Sequence, residues 1–272
     1  MKSGTRPTRI DHRDYDLIKS HRLYGATTED AQFADEYFAD AGLIMDNQEV
    51  TDTEFQPPTP PMPEGCTDFS TAGITTNLTK QIHNPNDIEA VTHANAQGGY
   101  DIRSSLLAGR GIGWFRQFFN IKTNGVLDWF DTFRLAQLSG VCAGEIRSIS
   151  WGTPWFPTWE QAANSGSYVM PMPTHDELSN FKSMPWHNSI LDGWHTFNGV
   201  LVYRNESHQG NLIGDRGFIA FPREVINTVM GIPGTVAFTP SNTPILNPVT
   251  ITVSNLQWIL SVMQNIISDL LK

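Results

Sequence analysis

The chain has 272 residues, enough for one large domain or two lobes sharing a core, and 39% hydrophobic against 17% charged residues exclude disorder throughout. A formal net charge of -10 with no basic stripe excludes general nucleic-acid binding, which draws its affinity from Lys and Arg set against phosphates. No apolar run is long enough to span a membrane, and the polar start MKSGTRPTRIDHRDYDLIKSH lacks the apolar core of a signal peptide, so the expectation is a protein that starts out in the cytoplasm.

Residues 1 to about 55 are polar and acidic, with one predicted helix in TTEDAQFADEYFADAG, where Thr28 can cap, Gly42 can stop, and Phe33, Tyr37 and Phe38 share a face. The stretch FQPPTPPMPEG follows as a stiff, extended approach, because each proline fixes φ and biases the residue before it. From Cys66 to about residue 140 the signals are helical. CTDFSTAGITTNLTKQIH sets Phe69, Ala72 and Ile74 or Leu78 on one side, NPNDIEAVTHANAQGG has an Asn/Asp start and a Gly stop, and DWFDTFRLAQLSG ends on Gly140. After residue 144 come β-branched and aromatic runs: EIRSISW, SYVMPM, NSILDGW, GVLVYRN, GFIAFP, GTVAFTP and PVTITVS. Two short helices, TWEQAAN and THDELSNFK, interrupt them, the second with a capping box from Thr174 to Glu177.

The expected fold class is therefore α+β, with an N-terminal extension over 1–55, a domain over 56–240 and a C-terminal extension over 241–272. Within the domain, a helical lobe covers about 56–143 and an antiparallel sheet lobe about 144–240. The last segment, SNLQWILSVMQNIISDLLK (254–272), is an amphipathic helix. It packs on its own domain, or it docks on a protein partner or a second copy; its polar face is too poor in basic residues to favour a membrane surface.

Two cysteines occur, Cys66 and Cys142, and reduced thiols are expected for a chain without a signal peptide. Cys142 reads as a small core residue. Cys66 follows Gly65 at a helix start, where unpaired N–H groups and the helix dipole favour a thiolate. A reactive thiol also needs an imidazole and a group to orient it. His187, at the entrance of one predicted strand, and Asn205, near the end of the next, would meet across an antiparallel pair. The bland alternatives are a buried helix cysteine, a core histidine and a turn asparagine. A metal site among His187, His195, His208 and the His175-Asp176-Glu177 run lacks the spacings that tie ligands to one element, and GRGIG lacks the context and Lys of a nucleotide loop. No metal or other cofactor is expected.

Four segments in order resemble the papain-like cysteine peptidases: GCTDFSTAG around Cys66, GGYDIRSSLLAGRGIG with Gly98 and Gly99, HNSILDGW with His187, and LVYRNESHQGNLIGDRGFIAFP with Asn205, Gly214, Gly217 and Phe218. The resemblance covers about residues 60–225 and implies a two-lobe fold in which Cys66, His187 and Asn205 hydrolyse peptide bonds in the cleft. It implies Gly98, Gly99, Gly65 and Trp186 as substrate-binding positions and a peptide or protein as substrate. The family's glutamine, six residues before the cysteine, is Pro60 here, leaving Gln56 to assist the oxyanion, and the family's Asn-Ser-Trp-Gly run reads NESH. Those departures leave a second reading, a papain-like scaffold without full catalysis that serves as a binding or structural component. Residues 1–55 read as a propeptide or a belt around the lobes.

Overall fold

The computed structural model describes residues 6, 15–16, 65–94, 99–123, 125–141, 147–207 and 213–242, of which 15–16 and 138–141 contribute backbone alone. Two compact units divide the chain, Met1–Asn242 and Thr243–Lys272, and all described residues lie in the first. The helices expected in TTEDAQFADEYFADAG and in 254–272, the strand expected in PVTITVS, and Cys142 fall outside the described residues.

Three helices open the described part. Helix α1 (Cys66–Thr79) is buried on all sides from Cys66 through Thr75, so no single apolar stripe marks it. Some of its hydroxyls turn back on the helix, as where Thr75 Oγ1 donates to the Thr71 carbonyl at 2.6 Å. It stops at Lys80, whose left-handed φ of 58° lets its N–H close on the Thr76 carbonyl. Helix α2 (Pro85–Thr92) begins as expected, with the Asn84 side chain accepting from Asn86 N–H and Pro85 where no N–H is needed. It ends early, on a left-handed His93, rather than running on towards Gly98. Helix α3 (Ile102–Gly111) is capped by Asp101, which accepts from Ser104 N–H at 3.2 Å.

A seven-stranded sheet follows, in the order β1-β2-β7-β3-β4-β5-β6. Its strands are β1 (Tyr15–Asp16), β2 (Gln117–Asn120), β3 (Ile149–Pro154), β4 (Trp186–Phe197), β5 (Val200–Glu206), β6 (Phe218–Pro222) and β7 (Val236–Ser241). All pairs are antiparallel except β1 with β2. The sheet is not confined to the second half of the chain, since β2 lies in the expected helical lobe and pairs with β7. A four-residue strand buried at every position carries no alternation to read. SYVMPM yields only a bridge from Val169 to Ala220, where Pro171 cannot extend the ladder. The β4–β5 turn uses Asn198 and Gly199, both at positive φ, as tight hairpins require.

Helix α4 (Trp129–Val141) lies in the first half, and α5 (Pro157–Asn164), α6 (His175–Ser179) and α7 (Arg223–Met230) in the second. The Thr174–Glu177 capping box forms as expected, and the same carboxylate also accepts from Thr158 N–H and Oγ1, tying α6 to α5. Helix α7 was not anticipated, although Val225, Ile226, Val229 and Met230 recur with helical spacing. Arg223 ties it to α4 through Asp128 and Asp131.

Two apolar cores cover the sheet. One gathers Trp151, Trp155, Trp159, Phe221 and Tyr203; the other gathers Ile74, Ile102, Leu106, Phe115, Phe118, Ile190, Val236 and Phe238 between the helices and the strands. Each large side chain so buried stabilises the fold by roughly 1.5–3 kcal/mol. Helix α1 packs on β4 through the second core. Among the described residues, no helix is long and apolar enough to cross a membrane.

The chain from β5 to β6 closes on a tight turn in which Asp215 N–H donates to the Phe218 carbonyl and Gly217 N–H to the Ile213 carbonyl. Gly214 sits there at φ 55°, where a Cβ would stand 2.1 Å from the Phe218 carbonyl oxygen. Substituting Gly214→Ala is expected to cost about 2–4 kcal/mol, read as a lower urea midpoint, because both the backbone conformation and the contact must change. An unchanged midpoint would show that the turn opens freely.

Candidate active site

Cys66 is the first residue of α1, and Gly65 before it supplies no capping side chain. Its thiol is reduced and fully buried, at 0% exposure. The first-turn N–H groups of Asp68 and Phe69 close on the Gly65 carbonyl. Asp68, two residues on, neither faces solvent nor caps the helix. It turns into the helices, where Ser105 Oγ donates to it at 2.6 Å, Thr92 Oγ1 at 3.2 Å and Thr67 Oγ1 at 3.4 Å. Burial, with repulsion from Glu89 behind it and against the Ser105 hydrogen bond, pushes its carboxyl up to about 7.

His187 is the second residue of β4, opposite Thr153 on β3. Its ring packs edge-on to Trp155, centroids 5.1 Å apart at 74°, and Trp155 N–H donates to the Pro185 carbonyl just before the strand. His187 Nε2 lies 2.7 Å from the Ser207 carbonyl oxygen. A carbonyl only accepts, so Nε2 carries the proton and, in the neutral ring, Nδ1 is the basic nitrogen.

This differs from the expectation for Asn205. Its Nδ2 donates to Ser189 Oγ at 2.7 Å, and its Oδ1 is buried without a partner among the described residues. Asn205 therefore does not hold the imidazole; Ser207, two residues further along the same chain, does so with its backbone. Nothing in a sequence marks a residue that acts through its carbonyl, which is why side-chain chemistry pointed to the nearby amide instead.

Two contacts set how α1 lies along the sheet. Asn77 Nδ2 donates to Ser148 Oγ at 2.8 Å, and Ile74 shares a core with Ile190, the partner of Ser150. Helix and β3 thus run in opposite directions. From Asn77 back to Cys66 is about 16 Å at a rise of about 1.5 Å per residue, and Ser148 to Thr153 is about the same at about 3.3 Å. With helix and strand aligned, that register would bring Cys66 towards the level of Thr153 and His187. Along β4, Asn188 and Ile190 face the helices, whereas His187, at the strand's start, turns its ring to Trp155.

Gly99 is buried at φ 94°, with its N–H on the Ala94 carbonyl. The next carbonyl, that of Tyr100, accepts from Arg6 N–H at 3.1 Å. Trp186 is 6% exposed and pairs opposite Pro154, leaving little surface for a ligand. Gln56 and Gly98 lie outside the described residues. Among the described residues, no three His, Cys, Asp or Glu side chains gather as they would around a metal ion.

No protein-family model matches the chain, and no curated protein matches it by sequence. Solved structures do. Xylellain, a cysteine protease from Xylella fastidiosa, aligns over 89% of this chain and 96% of its own, at 13% identity and a TM-score of 0.52. The ragweed pollen cysteine protease Amb a 11, in its proform, aligns over 71% of this chain and 62% of its own, at 12% identity and a TM-score of 0.49. Bromelain from Ananas comosus, in complex with the E64 inhibitor, aligns over 76% and 97%, at 15% and 0.44. The likeness to xylellain establishes the fold: the chain has the papain-like α+β architecture.

Asp68 generates a pH prediction. A folded-state value raised from 3.8 to about 7 means that the fold holds a proton the unfolded chain releases. That contribution is complete below about pH 4 and lost as pH rises through about 7. Wild type should lose on the order of a few kcal/mol between pH 5 and pH 8 in urea unfolding, and Asp68→Asn should flatten the profile. Equal slopes in both proteins would contradict the assignment.

Proposed function

We propose that the protein is a cysteine peptidase. The observation that carries this reading is His187, a buried imidazole whose Nε2–H is taken up by a carbonyl so that Nδ1 is the base, on a strand covered by the helix that Cys66 begins. In this reaction the Cys66 proton passes to His187 Nδ1 as the sulfur bonds to a peptide carbonyl carbon. The oxyanion is met by Cys66 N–H and by Gln56. The C–N bond then breaks, the leaving amine takes the proton from Nδ1, and water, deprotonated by the same nitrogen, releases the acyl group from sulfur. Gly98, Gly99, Gly65 and Trp186 would line the substrate's path, with the backbone at Gly98 and Gly99 pairing with the substrate. Peptides and proteins are the substrates this chemistry takes.

The N-terminal segment acts as a propeptide on this reading. Support comes from Arg6 N–H on the Tyr100 carbonyl, beside the substrate strip, and from the complete burial of Cys66. A substrate reaches such a thiol only after something moves.

A second reading, a papain-like scaffold without catalysis acting as a binding or structural component, draws on two observations. Cys66 is closed off from solvent, and the Asn205 amide is committed to Ser189. Hydrolysis of a broad peptide library separates the two. The peptidase reading expects activity that rises on removal of residues 1–55, falls to background in Cys66→Ala, and drops about a hundredfold to ten-thousandfold in His187→Ala. Absence of hydrolysis with and without residues 1–55 would overturn it in favour of the scaffold.

A further inference from the structure

The group that orients His187 is a main-chain carbonyl, and a carbonyl at the end of a strand is only as well aimed as the peptide that carries it. Ser207 is the first residue beyond β5 and is fully buried. Its Oγ donates to the Gly217 carbonyl at 3.2 Å, and its N–H points at the same oxygen from 3.5 Å. The second contact is at the limit of a hydrogen bond. The hydroxyl is therefore the firmer tie between the Ser207 peptide and its surroundings.

Gly217 is itself held. It sits at φ 93°, its N–H donates to the Ile213 carbonyl, and it belongs to the turn in which Gly214 leaves no room for a side chain. A continuous path results: turn, Gly217 carbonyl, Ser207 hydroxyl, Ser207 carbonyl, His187 Nε2. Trp155 limits the tilt of the imidazole from its side but offers it no acceptor, so packing alone does not choose which nitrogen keeps the proton.

We propose that Ser207 is a positioning residue for His187: its hydroxyl pins the peptide whose carbonyl accepts from Nε2, and through it the Gly214–Phe218 turn fixes the ring's tautomer and direction. The proposal rests on the pairing of His187 with Cys66 only for its effect on rate; the tautomer itself is a property of the folded chain. The residue in this role supplies a backbone oxygen and not an amide side chain. No charge is added beside the imidazole, and the aim of the acceptor depends on a serine hydroxyl.

The test uses the full chain labelled with 15N at histidine, comparing wild type, Ser207→Ala, Ser207→Thr and Asn205→Ala. Wild type should show His187 in the Nε2–H tautomer. Ser207→Ala should move its ring 15N shifts towards a mixture of tautomers, Ser207→Thr should restore them, and Asn205→Ala should leave them in place. Where wild type hydrolyses peptide, Ser207→Ala should lower kcat by about tenfold to a hundredfold with little change in KM, as misaimed catalytic groups do. Identical His187 shifts in Ser207→Ala and wild type, or a shift that follows Asn205→Ala instead, would overturn the proposal. Absence of hydrolysis with and without residues 1–55 would overturn the peptidase reading alone, since the tautomer measurement does not depend on it.

Discussion

The hydrogen bond from His187 Nε2–H to the Ser207 carbonyl is the interaction on which the functional reading of this fold depends. Its net contribution to stability is about 1 kcal/mol, no more than any ordinary buried hydrogen bond. Its chemical consequence is larger, because it assigns the proton to one ring nitrogen and leaves the other as a base. A buried histidine without such a bond would have two tautomers of similar energy. Only one of them can take a proton from sulfur at Nδ1.

The rest of the sheet lobe can be understood as what that bond requires. Strands β4 and β5 pair with a shift in register between Leu191 and Gly193, on the way to the ends that carry His187 and Ser207, and a slip of one residue would send the side chains beyond it to the opposite face. Asp192 stands at the irregularity and is bound by Arg204 through two hydrogen bonds of 3.0 and 2.9 Å. Burial still pushes its carboxyl up to about 6, against the Arg204 charge, so the pair is better understood as a register device than as a source of stability. On the other face, the core around Ile74, Ile190 and Phe238 fixes how far along the strands α1 slides. The proposed meeting of thiol and imidazole would need both that core and the register.

Much of this was legible in the sequence where local chemistry leaves a mark. The starts of α1 and α2, the Thr174–Glu177 box and the strands around His187 and Asn205 all follow from caps, turns and β-branched runs. The order of four short motifs pointed to the papain-like architecture that the likeness to xylellain establishes. Strand β2 was not legible, because four buried residues give no period, and α7 was passed over because it sits between two apolar strands. Asn205 stood out and Ser207 did not for a different reason. The two lie on one chain, two residues apart, and side-chain chemistry favours the amide, whereas the His187 Nε2 hydrogen bond ends on a backbone oxygen, which every residue possesses.

The central claim is that Cys66 and His187 act on one proton. The pH dependence of Cys66 alkylation by iodoacetamide, compared between the wild-type sequence and His187→Gln after residues 1–55 are removed, addresses it most directly, because the helix start is the same in both and a difference between them reports the imidazole. The account predicts that wild type reacts at a rate already level below pH 7, while His187→Gln reacts only as pH rises past about 8. Superimposable profiles in the two proteins would contradict it.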